Sequence, residues 1–356
     1  MTFKKWALSF LGVVLALLTL LGAVTVIIDP YFHYHAPLDC LQYRIFYQRY
    51  QNDGIVKHFD YDALITGNSM VENFKASEAD ALFGINSVKV PFSGATGKEL
   101  DSLIRTAVEH NDKLRVVISD IDYENLVSDK DYLAYNEKDY PTFLYDKNIF
   151  NDVKYLFNKS IFKTSLDMIS YTLEGNTTTS FDDYSFWDTI GADAYSQEAV
   201  LGFYQRADSI QPALHLNEER LALVRGNIGQ NIIETAQANP QIEFYYYIPP
   251  VNMYTWDSLQ RQGTLELHLE AEKVAIEMML ECDNIHLFSF MDAYDLVQDF
   301  SHYKDTVHHD SGVNSWILEC MAAGEHMLTR DNYMDYWNGI YEFYTTYDYD
   351  SLFPAD

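Results

Sequence analysis

Two short stretches of this chain hold residue types that can do chemistry together. The first is Ile65-Thr66-Gly67-Asn68-Ser69-Met70, where an apolar run ends in a glycine and a serine follows two residues on. Gly67 permits a tight turn because it has no Cβ to clash. A serine placed there stands at a strand end beside the start of a helix, where backbone N–H groups favour developing negative charge. That environment suits a nucleophile whose attack creates an oxyanion. Taken alone, Asn68-Ser69 reads more simply as a helix cap.

The second stretch is Asp305-Thr306-Val307-His308. An Asp and a His three residues apart can share one turn. The carboxylate can then orient the ring and stabilise its cation while the ring takes the proton of the serine. His309 is the alternative base, but adjacent side chains in extended chain point opposite ways. The Asp-x-x-His spacing selects His308, and His302 is a more remote candidate.

These residues need a scaffold that brings them to one place. Apolar runs at 63–66, 86–92, 115–121, 242–248 and 285–290 read as strands. The continuous run Val116-Val117-Ile118 suits a parallel strand buried on both faces. Between the runs lie helical patterns, among them Leu100, Leu103, Ile104, Ala107 and Val108, and later Val313, Trp316, Ile317, Cys320 and Met321. Alternation of this kind predicts an α/β fold: a three-layer α/β/α, flavodoxin-like parallel sheet of about five strands. Right-handed crossovers put the strand carboxyl ends on one edge. Ser69 follows the first strand and His308 the last, so both fall on that edge.

Residues 123–217 break the rhythm. They are rich in Tyr, Asp, Asn and Thr, and read as a helical insertion after the third strand, overhanging the Ser69 cleft. The domain reading is a cytoplasmic stub and transmembrane anchor at 1–28 and a juxtamembrane connector at 29–62. A catalytic domain at 63–330 carries the insertion, and 331–356 is left unassigned.

The anchor rests on an uninterrupted apolar run from Trp6 to Ile28, preceded by Lys4 and Lys5. A run of about 20 residues spans the hydrocarbon core. The lysines favour an inside N-terminus, with the bulk of the chain extracytoplasmic in a single-pass arrangement. A cleaved signal peptide is the competing reading, but its apolar region is usually shorter, about 7–15 residues.

The formal net charge of −29 opposes phosphate backbones, so no nucleic-acid partner is expected. The three cysteines, Cys40, Cys282 and Cys320, form neither a disulfide framework nor a Cys-x-x-Cys metal pair. His33 and His35 lack accompanying ligands and read as structural or interfacial. No metal or cofactor is expected.

The motifs together resemble the SGNH (GDSL-like) hydrolase superfamily. Gly67-Asn68-Ser69 is similar to its first block, Gly-Asp-Ser, with Asn in place of Asp. Ser93-Gly94 is similar to the second block, whose glycine donates a backbone N–H to the oxyanion. Asp305-x-x-His308 is similar to the fifth. The third block, Gly-x-Asn-Asp, is where the sequence departs: the strand ends Ser119-Asp120-Ile121-Asp122-Tyr123. Asp120, Asp122 and Tyr123 stand at the third-block position or against substrate, and an ionised carboxylate there would oppose an oxyanion.

With its anchor, the chain resembles a narrower membrane-anchored group encoded with cell-envelope polysaccharide machinery, which includes the D-alanine transfer protein DltD. The resemblance covers roughly 62–122 and 240–328. It implies a Ser-His-Asp esterase or O-acyltransferase acting on acyl groups of an envelope glycan or polymer. Ser69 would be nucleophile, His308 base and Asp305 its orienter, with the oxyanion held by N–H groups of Ser69 and Gly94. It also implies a membrane-bound O-acyltransferase as partner. Two other classes fit the same residues: a non-catalytic scaffold of an envelope-assembly complex, and a glycan-binding subunit using the aromatic-rich insertion.

Overall fold

Five apolar runs become the parallel strands of one sheet in the computed structural model, which describes residues 2–121, 123–135 and 140–353. They are β1 (Ala63–Thr66), β2 (Ser87–Lys89), β3 (Val116–Asp120), β4 (Glu243–Ile248) and β5 (Ile285–Ser289). A sixth, β6 (Met327–Leu328), pairs antiparallel with β5. The order is β2-β1-β3-β4-β5-β6. In register, Leu64 faces Val88 and Val117, Val117 faces Phe244, and Phe244 faces Ile285.

The sequence reading had five parallel strands; the added edge strand is the difference. Two residues carry no readable periodicity, and the pairing depends on the turn at Gly324, whose φ is +74. Such a short strand also leaves little edge open to further pairing.

Every residue of β1, β2 and β3 is buried, so helices must cover the sheet. Ile65, Ile118, Tyr247 and Phe288 pack in one cluster with Ala76 and Ala79 of the helix Ala76–Phe83 and with Val313, Ile317 and Met321 of the helix Ser311–Ala323. Each large apolar side chain buried there contributes about 1.5–3 kcal/mol of transfer free energy. The helix Gly97–His110 starts with a capping box in which Thr96 and Glu99 satisfy each other's backbone N–H groups.

Lys89 is an exception within β2, being fully buried. Its ammonium donates to the carbonyls of Glu72 (2.6 Å), Phe74 (2.7 Å) and Asp182 (3.3 Å). All three of its donors are thereby used.

Contacts divide the chain into two units, Tyr61–Ala134 with Phe181–Asp356, and Met1–Asp60 with Tyr135–Ser180. The first holds the sheet. It also holds the helix Tyr333–Thr346, which accounts for most of the stretch the sequence left unassigned. Trp337 Nε1 there donates to the Leu269 carbonyl at 2.9 Å, and the Tyr344 hydroxyl to that of Met291 at 2.6 Å.

The second unit begins with the helix Phe3–Ile28, long and apolar enough to cross a membrane. Asp29 ends it with a φ of +45. The Asp29 carboxylate accepts the N–H groups of His33, Tyr34 and His35 and the hydroxyl of Tyr155. The His33/His35 stretch is thus a structural turn. Residues 29–62 are more than a connector, since the helix Gln48–His58 buries Gln51, whose side chain accepts from Phe46 and Tyr47 N–H at 2.8 Å each.

Segment 123–217, read from sequence as one insertion, is divided between the units. Residues 135–180 join the N-terminal unit because Tyr155 and Ile161 pack with Tyr31 and Leu144. Residues 123–134 and 181–217 stay with the sheet.

Candidate active site

β1 stops at Thr66 and the chain turns at Gly67, whose φ is +150. A Cβ at Gly67 would drive into Asp120 Oδ1 and Val71 Cγ2, so only glycine fits the turn. Asp120, buried at the end of β3, accepts the Asn68 N–H at 2.9 Å. Asn68 in turn caps the one-turn helix Ser69–Val71 through the Met70 N–H. From the far side, Asn314 Nδ2 of the helix Ser311–Ala323 donates to the Met70 carbonyl at 2.8 Å. Ser69 is therefore held from β1, β3 and the last sheet-covering helix.

His308 Nε2 lies 2.7 Å from Ser69 Oγ. Its Nδ1 lies 2.8 Å and 3.0 Å from the two Asp305 oxygens. Asp305 Oδ1 also accepts the N–H groups of Val307 (2.9 Å) and His308 (2.8 Å). Burial raises the pKa of the Asp305 carboxyl, but the hydrogen bonds and charge of His308 and these backbone donors outweigh it. The net value lies below the ordinary Asp range. An ionised Asp305 fixes the proton of a neutral imidazole on Nδ1 and leaves Nε2 as an acceptor toward Ser69.

A cleft of about 190 Å3 opens beside these atoms, lined by Asn68, Ser69, Met70, Gly94, Tyr123, Pro249, Val307 and His308. These residues follow β1, β2, β3, β4 and, for Val307 and His308, β5, so the cleft sits at the carboxyl edge of the sheet. Gly94 has a φ of +61. Among the described residues, the backbone N–H groups of Ser69 and Gly94 make no hydrogen bond. Both are available to a developing oxyanion.

The other sequence candidates fall elsewhere. His309 is 1% exposed, with Nδ1 on the Asp310 carbonyl at 3.2 Å, and burial holds its pKa down to about 4. It faces the interior and is not placed to serve Ser69. His302 pairs with Asp310 at 2.8 Å. Asp120, one candidate for the third-block position, sits under the Gly67 turn, where its carboxylate organises the backbone. Asp122 lies outside the described residues. Tyr123 is buried and walls the cleft, with Trp256 stacked at 6.3 Å and His268 edge-on at 6.2 Å.

Four contributors escaped the sequence reading. Trp187 stands edge-on to the His308 ring, centroids 5.7 Å apart. Its backbone N–H and that of Asp188 donate to Asn73 Oδ1, tying this segment to the loop that carries Ser69. Lys304 Nζ lies 3.3 Å over the Trp187 ring. Asn252, fully buried, caps the helix Met253–Gln262 and donates to the Asp305 carbonyl at 2.8 Å. Thr255 does the same for the Thr306 carbonyl at 2.5 Å. The signal for Asn252 was its place just after the β4 strand end; for Trp187 there was none.

A second cavity, about 490 Å3, adjoins the Asp305–His308 turn through Thr306. Phe203, Gln205, Ser258, Gln262 and His268 line it, and burial holds His268 near a pKa of about 4, so it is neutral at pH 7. No side chain on its wall is charged at that pH. Among the described residues no cluster of His, Cys, Asp and Glu has the makings of a metal site.

No family model matches the chain, and no curated protein does. Among solved structures it is similar to a chain whose description names a "platelet activating factor from Streptococcus pneumonia". The identity is 12% and the TM-score 0.39, over 78% of this chain and 90% of that one.

Proposed function

We propose that the sheet-bearing unit is a serine esterase or O-acyltransferase of SGNH type on a flavodoxin-like three-layer scaffold. One observation carries the reading: the chain of contacts from Ser69 Oγ through His308 to Asp305, opening on a cleft at the sheet's carboxyl edge. Ser69 Oγ attacks the acyl carbonyl and its proton passes to His308 Nε2. The oxyanion is held by the N–H groups of Ser69 and Gly94. Collapse expels the alcohol, which takes the proton back from His308, and leaves an acyl-Ser69. Water or an acceptor hydroxyl, deprotonated by the same ring, then receives the acyl group.

The cavity sizes support a division of labour. At about 190 Å3 the cleft is below the usual range of small-molecule sites, roughly 300–1,000 Å3, and suits a short acyl group. The neighbouring cavity, of about 490 Å3 with neutral polar walls, suits a hydroxyl-rich alcohol such as a sugar. The apolar Phe3–Ile28 helix, led by Lys4 and Lys5, supports an outward-facing anchored protein acting on an envelope glycan, with a membrane-bound O-acyltransferase as acyl donor.

The test is labelling of the full chain with a fluorophosphonate. Wild type should be labelled, and Ser69→Ala and His308→Ala should not. A folded wild type that takes up no label would move the reading to a non-catalytic scaffold.

A further inference from the structure

The N-terminal unit carries an unusual surface. Between 147 and 163 the chain holds four lysines, Lys147, Lys154, Lys159 and Lys163, against one acid, Asp152, with Asp146 and Asp167 flanking the stretch and Lys163 paired with Asp167 at 3.1 Å. Asp152 is buried and accepts the Tyr34 hydroxyl at 3.2 Å, so it does not offset them at the surface. A stretch with this many lysines is unusual on a chain of net charge −29. Interleaved with the lysines are large apolar side chains turned to solvent: Ile149 is 74% exposed, Phe150 83%, Val153 54% and Phe157 46%. A solvated loop gains nothing from displaying them.

Their neighbour is the apolar helix. At 1.5 Å rise per residue, the 26 residues of Phe3–Ile28 extend about 39 Å, against a hydrocarbon core of about 30 Å. With Lys4 and Lys5 in one headgroup layer, about 20 residues counted from Trp6 bring the far boundary near Thr25. At this level the folded unit meets the helix. The Thr25 hydroxyl reaches the Leu156 carbonyl at 3.5 Å, and the ring of Phe157 lies 3.8 Å from where a Cβ on Gly22 would be. Leu156 and Phe157 therefore sit near the depth where the hydrocarbon ends, and the exposed Ile149, Phe150 and Val153 belong to the same stretch.

We propose that residues 147–163 form a second membrane contact, a wedge of Ile149, Phe150, Val153 and Phe157 in the outer boundary of the bilayer flanked by lysines on anionic headgroups. This rests on Phe3–Ile28 spanning the membrane. The wedge fixes the tilt of the N-terminal unit about its own helix, since one helix alone leaves rotation free. Each lysine near an anionic surface contributes through a potential that salt screens.

The experiment uses the full chain with Cys40→Ser, because Cys282 and Cys320 are buried. Single cysteines at Trp6→Cys and Phe150→Cys carry an environment-sensitive nitrobenzoxadiazole label. Each protein is placed in nanodiscs of phosphatidylcholine with or without phosphatidylglycerol, and shallow doxyl lipids serve as quenchers. The label at 150 should lose most of its emission to the doxyl lipid. The loss should be larger with phosphatidylglycerol and smaller in high salt. A quenched label at 6 with an unquenched label at 150 would overturn the wedge while leaving the span intact, and would leave this surface to a protein partner. Neither label quenched would overturn both. Quenching at 150 that is indifferent to phosphatidylglycerol and salt would overturn the role of the lysines.

Discussion

Replacing Asp305 by Asn tests the proposed chemistry at the point where the geometry is most constraining. Asp305 Oδ1 is held by two backbone donors, the N–H groups of Val307 and His308 at 2.9 and 2.8 Å. An asparagine would keep its oxygen there, which sends its NH2 group to the position of Oδ2, 2.8 Å from His308 Nδ1. That nitrogen must then accept, so the ring proton moves to Nε2, which faces Ser69 Oγ at 2.7 Å. The imidazole would present a donor to a hydroxyl whose proton it has to take. A carboxylate-to-amide exchange that traps the wrong tautomer costs about 10⁴-fold in turnover. That corresponds to about 5.5 kcal/mol at 1.36 kcal/mol per decade. The assay is p-nitrophenyl acetate hydrolysis together with the rate of fluorophosphonate labelling. A thermal melt accompanies it and should shift by only a few degrees, since both backbone hydrogen bonds survive. A folded Asp305→Asn protein that loses less than about tenfold, or 1.4 kcal/mol, would show that Asp305 does not set the tautomer of His308.

Gly67→Ala should both destabilise and inactivate. Its Cβ meets Asp120 and Val71 at a φ of +150, with strain of about 1–3 kcal/mol and a further 1.5–3 kcal/mol or so if the Asp120 to Asn68 hydrogen bond breaks; an unchanged urea midpoint refutes it. His309→Ala should lower stability by about 2 kcal/mol or more through the cavity it leaves, while the turnover of the folded fraction stays near wild type. A collapse of turnover without loss of stability would put His309 in the chemistry. The lowered pKa of Asp305 has a stability consequence as well. The unfolded state binds more protons below about pH 3.9, so the contribution of Asp305 is complete above that value and fades as pH falls through the folded one. Acid melts of Asp305→Asn should therefore depend less on pH in that range, and melts parallel to wild type count against the assignment.

What the sequence disclosed follows the range of the interactions. The turn after β1 was visible because a glycine and a serine follow a short apolar run. The Asp305 to His308 contact spans three residues of one turn. That these two places meet followed from parallel topology, which alternating apolar runs disclose. Long-range features left no such trace. Trp187 reaches His308 only because Asn73 holds the 187–188 backbone, a contact between segments more than a hundred residues apart. The split of 123–217 depends on Tyr155 finding Asp29 across a separation of 126 residues. β6 is too brief to show a period. The Asp-x-x-His spacing already singled out His308 over its neighbour, but that His309 is buried away from Ser69 shows only in the fold.

The buried lysine of β2 sets a limit on how this pocket can change. Lys89 ties the carbonyls of Glu72 and Phe74, just after Ser69, to that of Asp182, five residues before Trp187. The loop after Ser69 and the segment leading to Trp187, which packs on His308, thus share one tie. A substitution that widened the cleft by shifting either loop would strand carbonyl groups in a dry interior, at about 1–3 kcal/mol each. Adaptation of the proposed esterase to bulkier acyl groups then falls to Tyr123, Pro249 and Val307, cleft residues that Lys89 does not touch. Directed evolution toward longer acyl chains should accumulate changes there first and leave Lys89 in place.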